Sequence, residues 1–273
     1  GQTCWFAHEA GAAFAFSLGI DYNCWPDLQG RARWPIPQLY GWGIRAADAV
    51  LAQTEEQASL MRRNFGRDDV RVLPNLLRIP PPRTVEEDQG YVLWVGSLAR
   101  RKRPEMFVEL AGHFPGTEFR VVGGTGEDPG YDAEMKSLAA KVENVEWVGF
   151  GPPPEMAAPY RGAAVYVKTS RLAGLPNAFL QSWSHGVPTV SGGVDPDGVI
   201  VAGALGGVAD DVPGMAAVLG KLLEDPVERA ATGRRCHDHV RSRHDIEEVG
   251  DLAESYLRSA IERRRAGQAV ISP

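Results

Sequence analysis

A chain of 273 residues with 44% hydrophobic and 23% charged side chains can build one large or two modest domains with real cores. A formal net charge of -6 gives no general attraction for a nucleic-acid polyanion. Three irregularly spaced cysteines, Cys4, Cys24 and Cys236, are too few for a disulfide framework or a cysteine zinc site, and read as bland thiols of a reducing compartment. No apolar run reaches membrane-span length, so the expected location is cytoplasmic. The opening GQTCWFAHEAG has neither a secretion signal nor an initiator methionine. It reads as mid-domain, as a fragment or as a processed start.

In chain order, Thr3–Ala7 is predicted as a strand, with His8-Glu9-Ala10-Gly11 as the loop at its carboxyl end. An aromatic, proline-bearing region follows. Pro37–Ala46 has helical spacing, Asp48–Ala52 reads as a buried strand, and Thr54 is placed to cap a helix over Glu55–Asn64. Val70–Leu73 is a further short strand. Pro80-Pro81-Pro82 and Glu86-Glu87-Asp88 then break all periodicity. The expected organisation is therefore a partial acceptor-side α/β region over 1–79, a linker over 80–90, a Rossmann-like domain over 91–245 and a terminal helix with its tail over 246–273.

Beyond the linker the alternation is regular. Strands are expected at Tyr91–Val95, Glu118–Val122, Val145–Val148, Ala163–Lys168, Thr189–Ser191 and Gly207–Ala209. Helices are expected at Pro104–His113, Tyr131–Val142, Pro154–Tyr160, Asn177–His185, Val212–Leu223, Pro226–His239 and Ile246–Arg264. Near-continuous apolar strands between amphipathic helices indicate a parallel sheet covered on both faces, in the α/β class. Ligands in such sheets sit at the carboxyl ends of the strands.

Several motifs fall at those ends. Gly96-Ser97-Leu98-Ala99-Arg100-Arg101-Lys102-Arg103 leaves a strand and enters a helix at Pro104, where cations and helix amides can hold phosphates. A solvated basic loop explains the same run. Gly123-Gly124-Thr125-Gly126 fits neither GxGxxG nor a P-loop, and a tight turn accounts for it. Gly174-Leu175-Pro176-Asn177 starts a helix that Asn177 is placed to cap. Ala173 offers no polar group nearby, and Gln181 offers hydrogen bonds without charge. Asp195-Pro196-Asp197-Gly198 is a turn signal whose carboxylates could also meet sugar hydroxyls. His8 could act as a base oriented by Glu9, or be a satisfied interface histidine. His237, His239 and His244 read as exposed helix ends, and no metal site is expected.

The segments VLWVGSLARRKRPEMFVELA, VEWVGF and AAVYVKTSRLAGLPNAFLQSWSHGVPTVS resemble the carboxyl-terminal domain of retaining glycosyltransferases of family 4. ADAVLAQTEEQASLMRRNFG and VRVLPN resemble the latter part of that family's amino-terminal domain, so the likeness spans about residues 48–265. It implies a GT-B fold of two Rossmann-like domains facing one another across a cleft, with the amino-terminal one truncated. It also implies transfer of a sugar from a nucleotide-activated donor to a hydroxyl, without a metal or other cofactor.

In that family a glycine-arginine-leucine segment and a lysine four positions after the leucine contact the donor diphosphate. Ser97 stands at the arginine position and Lys102 matches the lysine, with Arg101 or Arg100 as helpers. Two glutamates separated by seven residues contact donor sugar and ribose; here they are Ala173 and Gln181, flanking a well-matched Gly174-Leu175-Pro176-Asn177. The Asp195–Gly198 loop resembles one in a subset that also has glutamine at the second position. His8 is the candidate for the family's acceptor-side histidine. The implied reaction is front-face, hexosyl-type transfer with retention, to a glycan, a lipid-linked sugar or a small molecule. The alternatives are a catalytically silent binding or scaffold relative, motivated by Ser97 and Ala173, and a non-enzymatic α/β interaction domain. The basic terminal helix around Arg258–Arg265 could touch an anionic inner membrane face, and simple solvent exposure explains it too.

Overall fold

The computed structural model describes residues 1–126, 128–149, 157–171 and 175–267. By internal contacts these form two units, one of residues 1–78 with 243–267 and Leu175, the other of residues 79–171 with 176–242.

The larger unit holds six parallel strands: β4 (Tyr91–Val95), β5 (Phe119–Val122), β6 (Val145–Gly149), β7 (Ala163–Lys168), β8 (Thr189–Ser191) and β9 (Gly206–Val208). Their spatial order is β6-β5-β4-β7-β8-β9. The chain winds outward from β4 through β5 and β6, returns to the other side at β7, and winds outward again. The sequence direction therefore switches between β4 and β7, where ligand crevices form in open parallel sheets. β7 is buried at every residue, as a central strand covered on both faces must be. One face packs Trp94, Phe107, Leu110, Phe119, Val165, Met215 and Leu219 into a single core. Phe107 and Phe119, from α4 (Pro104–Ala111) and β5, meet at 5.2 Å between ring centroids. Burial of each such ring is worth about 1.5–3 kcal/mol.

The smaller unit carries β1 (Ala15–Ser17), β2 (Ala49–Ala52) and β3 (Arg71–Val72), parallel in that order, with Phe16 opposite Val50 and Leu51 opposite Arg71. Helices α2 (Ile36–Ala46) and α3 (Glu55–Phe65) pack Ile44, Met61 and Phe65 against Val50 and Leu18. The Thr54 hydroxyl accepts from the Gln57 amide, and Gly66 closes α3 in the left-handed region at φ 67°. Buried Arg67 donates to the carbonyls of Ile44, Arg45 and Ala47, which lie at the carboxyl end of α2, while its fork grips Asp69.

The first element departs from expectation. Thr3–Ala7 is not a strand; Gln2–Glu9 form helix α1. The contiguous apolar run suggested a buried strand, yet Trp5 and Phe6 are exposed while Cys4, Ala7 and His8 lose exposure. That i, i+3, i+4 spacing is helical. Strand β1 lies instead at Ala15–Ser17, ahead of the aromatic, proline-bearing region, and at three residues is too short to show a period. Helix α6 (Ala157–Gly162) covers the described part of the expected 154–160 helix, residues 154–156 lying outside the described residues. Helix α10 runs through Pro226–His244, longer than expected, and α11 spans Ile246–Arg265. An isolated parallel bridge joins Leu77 to Asp245 just before α11.

Candidate functional site

Two loops, that after β4 beginning at Gly96 and the glycine-rich one after β5, lie side by side at the carboxyl ends of those strands. Gly96 donates to the Val122 carbonyl at 3.1 Å, and Leu98 to that of Gly124 at 3.2 Å. A Cβ at Gly123 would stand 1.7 Å from the Gly96 carbonyl oxygen, and one at Gly126 would stand 1.9 Å from that of Leu98. These glycines are thus required by backbone packing between two loops, which is the bland reading of the motif. The Asp132 carboxylate, on α5 (Pro129–Ala139), then accepts from the Gly126 amide at 3.0 Å.

The basic run after β4 separates into distinct roles. Arg100 reaches Asp128 at 3.6 Å and lies 4.3 Å over the Tyr131 ring. Arg101 is exposed. Lys102 is half-buried, and its ammonium has no hydrogen-bond or ion-pair partner among the described residues. Burial first, and then the charge of Arg101, hold the Lys102 pKa below the ordinary lysine value. Arg103 takes a left-handed conformation at φ 53° to enter α4, and its Nη1 is buried without a partner among the described residues. Ser97 is exposed on the same loop.

The Lys102 backbone is tied down from the far side of the switch point. Trp94 Nε1 donates to Thr169 Oγ1 at 2.9 Å, and that hydroxyl donates onward to the Lys102 carbonyl at 2.5 Å. Thr169 follows β7 directly. Beside it, buried Lys168 donates to the carbonyl and hydroxyl of Ser170 at 2.7 and 2.9 Å. Sequence reasoning singled out none of Trp94, Arg103, Lys168 and Thr169. Arg103 lay within the basic run, but nothing in one dimension tells which of four adjacent cations turns inward.

After β7 the chain enters α7 (Asn177–Ser184). Pro176, not Asn177, occupies the N-cap, with no side-chain capping bond; Asn177 is the first helical residue and is exposed. The expected Asn177 cap is corrected on that ground: proline's fixed φ suits an extended entry and displaces the helix start by one residue. Gln181 is exposed in the following turn. Gly174, with Ala173, lies outside the described residues. Leu175 is buried, groups with the smaller unit, and accepts from the Asn75 amide through its carbonyl at 3.3 Å.

At the end of β8, Asp195 accepts from the Ile200 amide at 2.7 Å and the Val201 amide at 3.2 Å. Both amides belong to the short helix α8 (Val199–Ala202), whose N-cap is Gly198, so the Asp195 carboxylate performs the turn's own chemistry. Asp197 is exposed with φ 51°.

In the smaller unit, His8 sits in the last turn of α1 and its Nε2 lies 2.9 Å from Asp48 Oδ2. Asp48 is buried beside β2 and also accepts from the Phe14 amide at 2.8 Å. The carboxylate that orients His8 is therefore Asp48 and not Glu9, which is exposed, because α1 turns adjacent residues away from one another. Arg264 donates to the His8 carbonyl and Arg263 to that of Asp48, binding α11 to this corner. Arg258 pairs with Glu254, so these three terminal arginines have partners within the unit.

The three carboxyl-terminal histidines are not exposed helix ends. His237 and His244 are buried and His239 packs 5.6 Å from the Trp183 ring, because they lie within or at the end of a continuous α10. Among the described residues no group of three or more His, Cys, Asp or Glu side chains is placed to hold a metal ion. Nor is any described helix long and apolar enough to cross a membrane.

Two Rossmann-like parallel sheets flanked by helices are the GT-B two-domain architecture. HepE of Anabaena in complex with UDP-glucose matches 94% of this chain and 75% of its own at a TM-score of 0.77, with 15% identity. Residues 89–225, half of the sequence, match the family described as glycosyl transferases group 1. The chain belongs to that family. A D-inositol 3-phosphate glycosyltransferase of Xylanimonas cellulosilytica is 29% identical over 221 residues, 70% of this chain and 53% of that protein. A GDP-mannose-dependent monoacylated alpha-(1-6)-phosphatidylinositol monomannoside mannosyltransferase of Corynebacterium glutamicum is 28% identical over 139 residues, 47% of this chain and 36% of that protein. The chain thus matches about half the length or less of these two relatives.

Proposed function

We propose that this protein binds a nucleotide sugar at the carboxyl edge of its six-stranded sheet and transfers the sugar, with retention, to a hydroxyl acceptor. The observation that carries the proposal is Lys102, a half-buried ammonium without a partner among the described residues, held beside a strand-order switch. An anion there would restore what burial costs the charge. Arg101, Ser97 and the entry to α7 at Pro176 and Asn177 share that edge. The names of the two curated relatives support a sugar-transfer reading.

In this reading the donor diphosphate lies against Lys102, with Arg101 and the amino end of α7 contributing positive potential. That charge stabilises the nucleoside diphosphate as it leaves, and the acceptor oxygen attacks the same face of the sugar. Leu175, Gly174 and Gln181 are proposed neighbours of the sugar and ribose. Asp195 and Asp197 are the proposed polar contacts of their loop. His8, oriented by Asp48, is the proposed acceptor-side base.

Titration of the folded chain with UDP and GDP, followed by donor-hydrolysis assays, tests this. Binding of either diphosphate, weakened about 30-fold by Lys102→Ala, is expected, because a charge-assisted contact is worth about 2 kcal/mol. No binding of either by folded protein would sink the proposal. His8→Ala should lower transfer while leaving diphosphate affinity unchanged. A second reading, binding without turnover, is favoured by uncharged Gln181 and by the commitment of Asp195 to its turn. Diphosphate binding with no hydrolysis or transfer from any donor would select it.

A further inference from the structure

The opposite, amino-terminal edge of the same sheet holds a cavity of 690 Å³, within the range of small-molecule sites. Gly90, which precedes β4, and Gly186, which precedes β8, lie in its wall, and α10 forms one side. Close approach of α10 is secured by glycine: a Cβ at Gly233 would stand 2.2 Å from the Gly186 carbonyl oxygen.

Four arginines line the cavity against two aspartates, Asp88 and Asp238. Two of the four are committed. Arg83 and Arg229 both reach Asp88 at 3.4 Å, and their remaining donors go to backbone carbonyls, Arg83 to Arg161 and Ala163 and Arg229 to Leu222. Arg234 and Arg241 are not: both are exposed, and neither has an ion-pair or hydrogen-bond partner among the described residues. Seven residues apart on α10, they project from one helix face two turns apart, with His237 between them. His237 Nε2 lies 3.2 Å from the Pro80 carbonyl, which fixes the ring against the wall. Pro82, Val85 and Ala230 add apolar surface. Asp238, four residues after Arg234 and three before Arg241, is the one carboxylate α10 adds to this lining, and neither guanidinium forms an ion pair with it among the described residues.

We infer that this cavity is a second ligand site, specific for a small organic phosphate, with Arg234 and Arg241 gripping the phosphate and the walls taking the organic body. Guanidinium forks match phosphate oxygens in geometry and charge. The site stands on the opposite edge of the sheet from Lys102, so it is separate from donor binding and does not depend on it.

The test is calorimetric titration of the full chain with glucose 6-phosphate as probe, with glucose and inorganic phosphate as comparators. Glucose 6-phosphate should bind, survive Lys102→Ala, and weaken at least about tenfold in the doubly substituted Arg234→Gln, Arg241→Gln protein, with glucose alone not competing. Both arginines are exposed, so the double variant should keep the wild-type circular dichroism and Tm. Three outcomes would overturn the inference: no binding at about 10 mM probe; loss of binding with Lys102→Ala instead of with the arginine pair; or equal affinity for inorganic phosphate, which would reduce the site to a simple anion contact.

Discussion

At the carboxyl edge of the six-stranded sheet, Lys102 carries a half-buried charge with no partner among the described residues. At the amino edge, Arg83 is more deeply placed, and there Asp88 and two backbone carbonyls answer its guanidinium. Burial lowers the pKa of both groups, but for Arg83 the Asp88 charge opposes the shift, whereas for Lys102 the second influence, Arg101, deepens it. The difference separates a cation that holds the fold together from the one we propose for the donor diphosphate. The glycines divide in the same way. Gly123, after β5, has no room for a side chain, while Gly116, in the turn before β5, faces open space.

The largest effect expected from this contrast is on stability. Gly123→Ala must break the Gly96–Val122 and Leu98–Gly124 backbone bonds or force the two loops apart, because the obstacle is a carbonyl oxygen and not a flexible side chain. We expect a loss of about 4 kcal/mol, lowering Tm by roughly 10 °C. Gly116→Ala, at the opposite end of β5, should change stability by less than about 0.5 kcal/mol. Equal Tm values for the two variants would erase the distinction between the edges.

A smaller effect is expected from pH at the amino edge. His185 is buried and stacks 6.3 Å from Tyr160; its Nδ1 has no partner among the described residues. Burial, then the charges of Arg161 and Arg83, lower its pKa to about 4. Its unfolded-state value is near 6.5, so the unfolded chain binds the proton more tightly than the folded one. The stabilisation is therefore complete above pH about 6.5 and is lost as pH falls toward about 4, to a total of roughly 3 kcal/mol. Urea titrations between those limits should show this slope, and His185→Phe should flatten it. An unchanged slope in the variant would assign the pH dependence elsewhere.

How much of this could be read without coordinates depended on the physics of each element. From Tyr91 onward, strands of three to six residues alternate with helices, so strand and helix cores fall where periodicity puts them. The edge bearing Lys102 followed from that alternation alone. Helix α1 did not, since a run of Cys4, Trp5, Phe6 and Ala7 has no visible period until burial shows that the two aromatics face outward. β3, at Arg71–Val72, falls inside the strand expected over Val70–Leu73, whereas β1, at three residues, is set by pairing with β2 and by no local preference. The partner of His8 was missed because Asp48 is forty residues distant, whereas Glu9 is adjacent in sequence and on another face of the helix. The commitment of Asp195 to two amides, and the bond from Thr169 to the Lys102 carbonyl, are likewise products of tertiary placement.

That last bond gives the finest division between holding and binding. Thr169→Val keeps the shape of the side chain and removes the hydroxyl, leaving the buried Trp94 Nε1 and the Lys102 carbonyl without each other's bridge. The expected cost to stability is about 1–2 kcal/mol, that of an unsatisfied buried donor. If the hydroxyl also positions Lys102, affinity for UDP or GDP should fall by about three- to fivefold, well short of the loss from Lys102→Ala. Combining the two substitutions then separates the roles. With the ammonium already gone, the position of its backbone no longer matters to the diphosphate, so the doubly substituted protein should bind no more weakly than Lys102→Ala alone. Fully additive losses would mean that Thr169 affects binding by another route, and Lys102 would then stand at the carboxyl edge without help from β7.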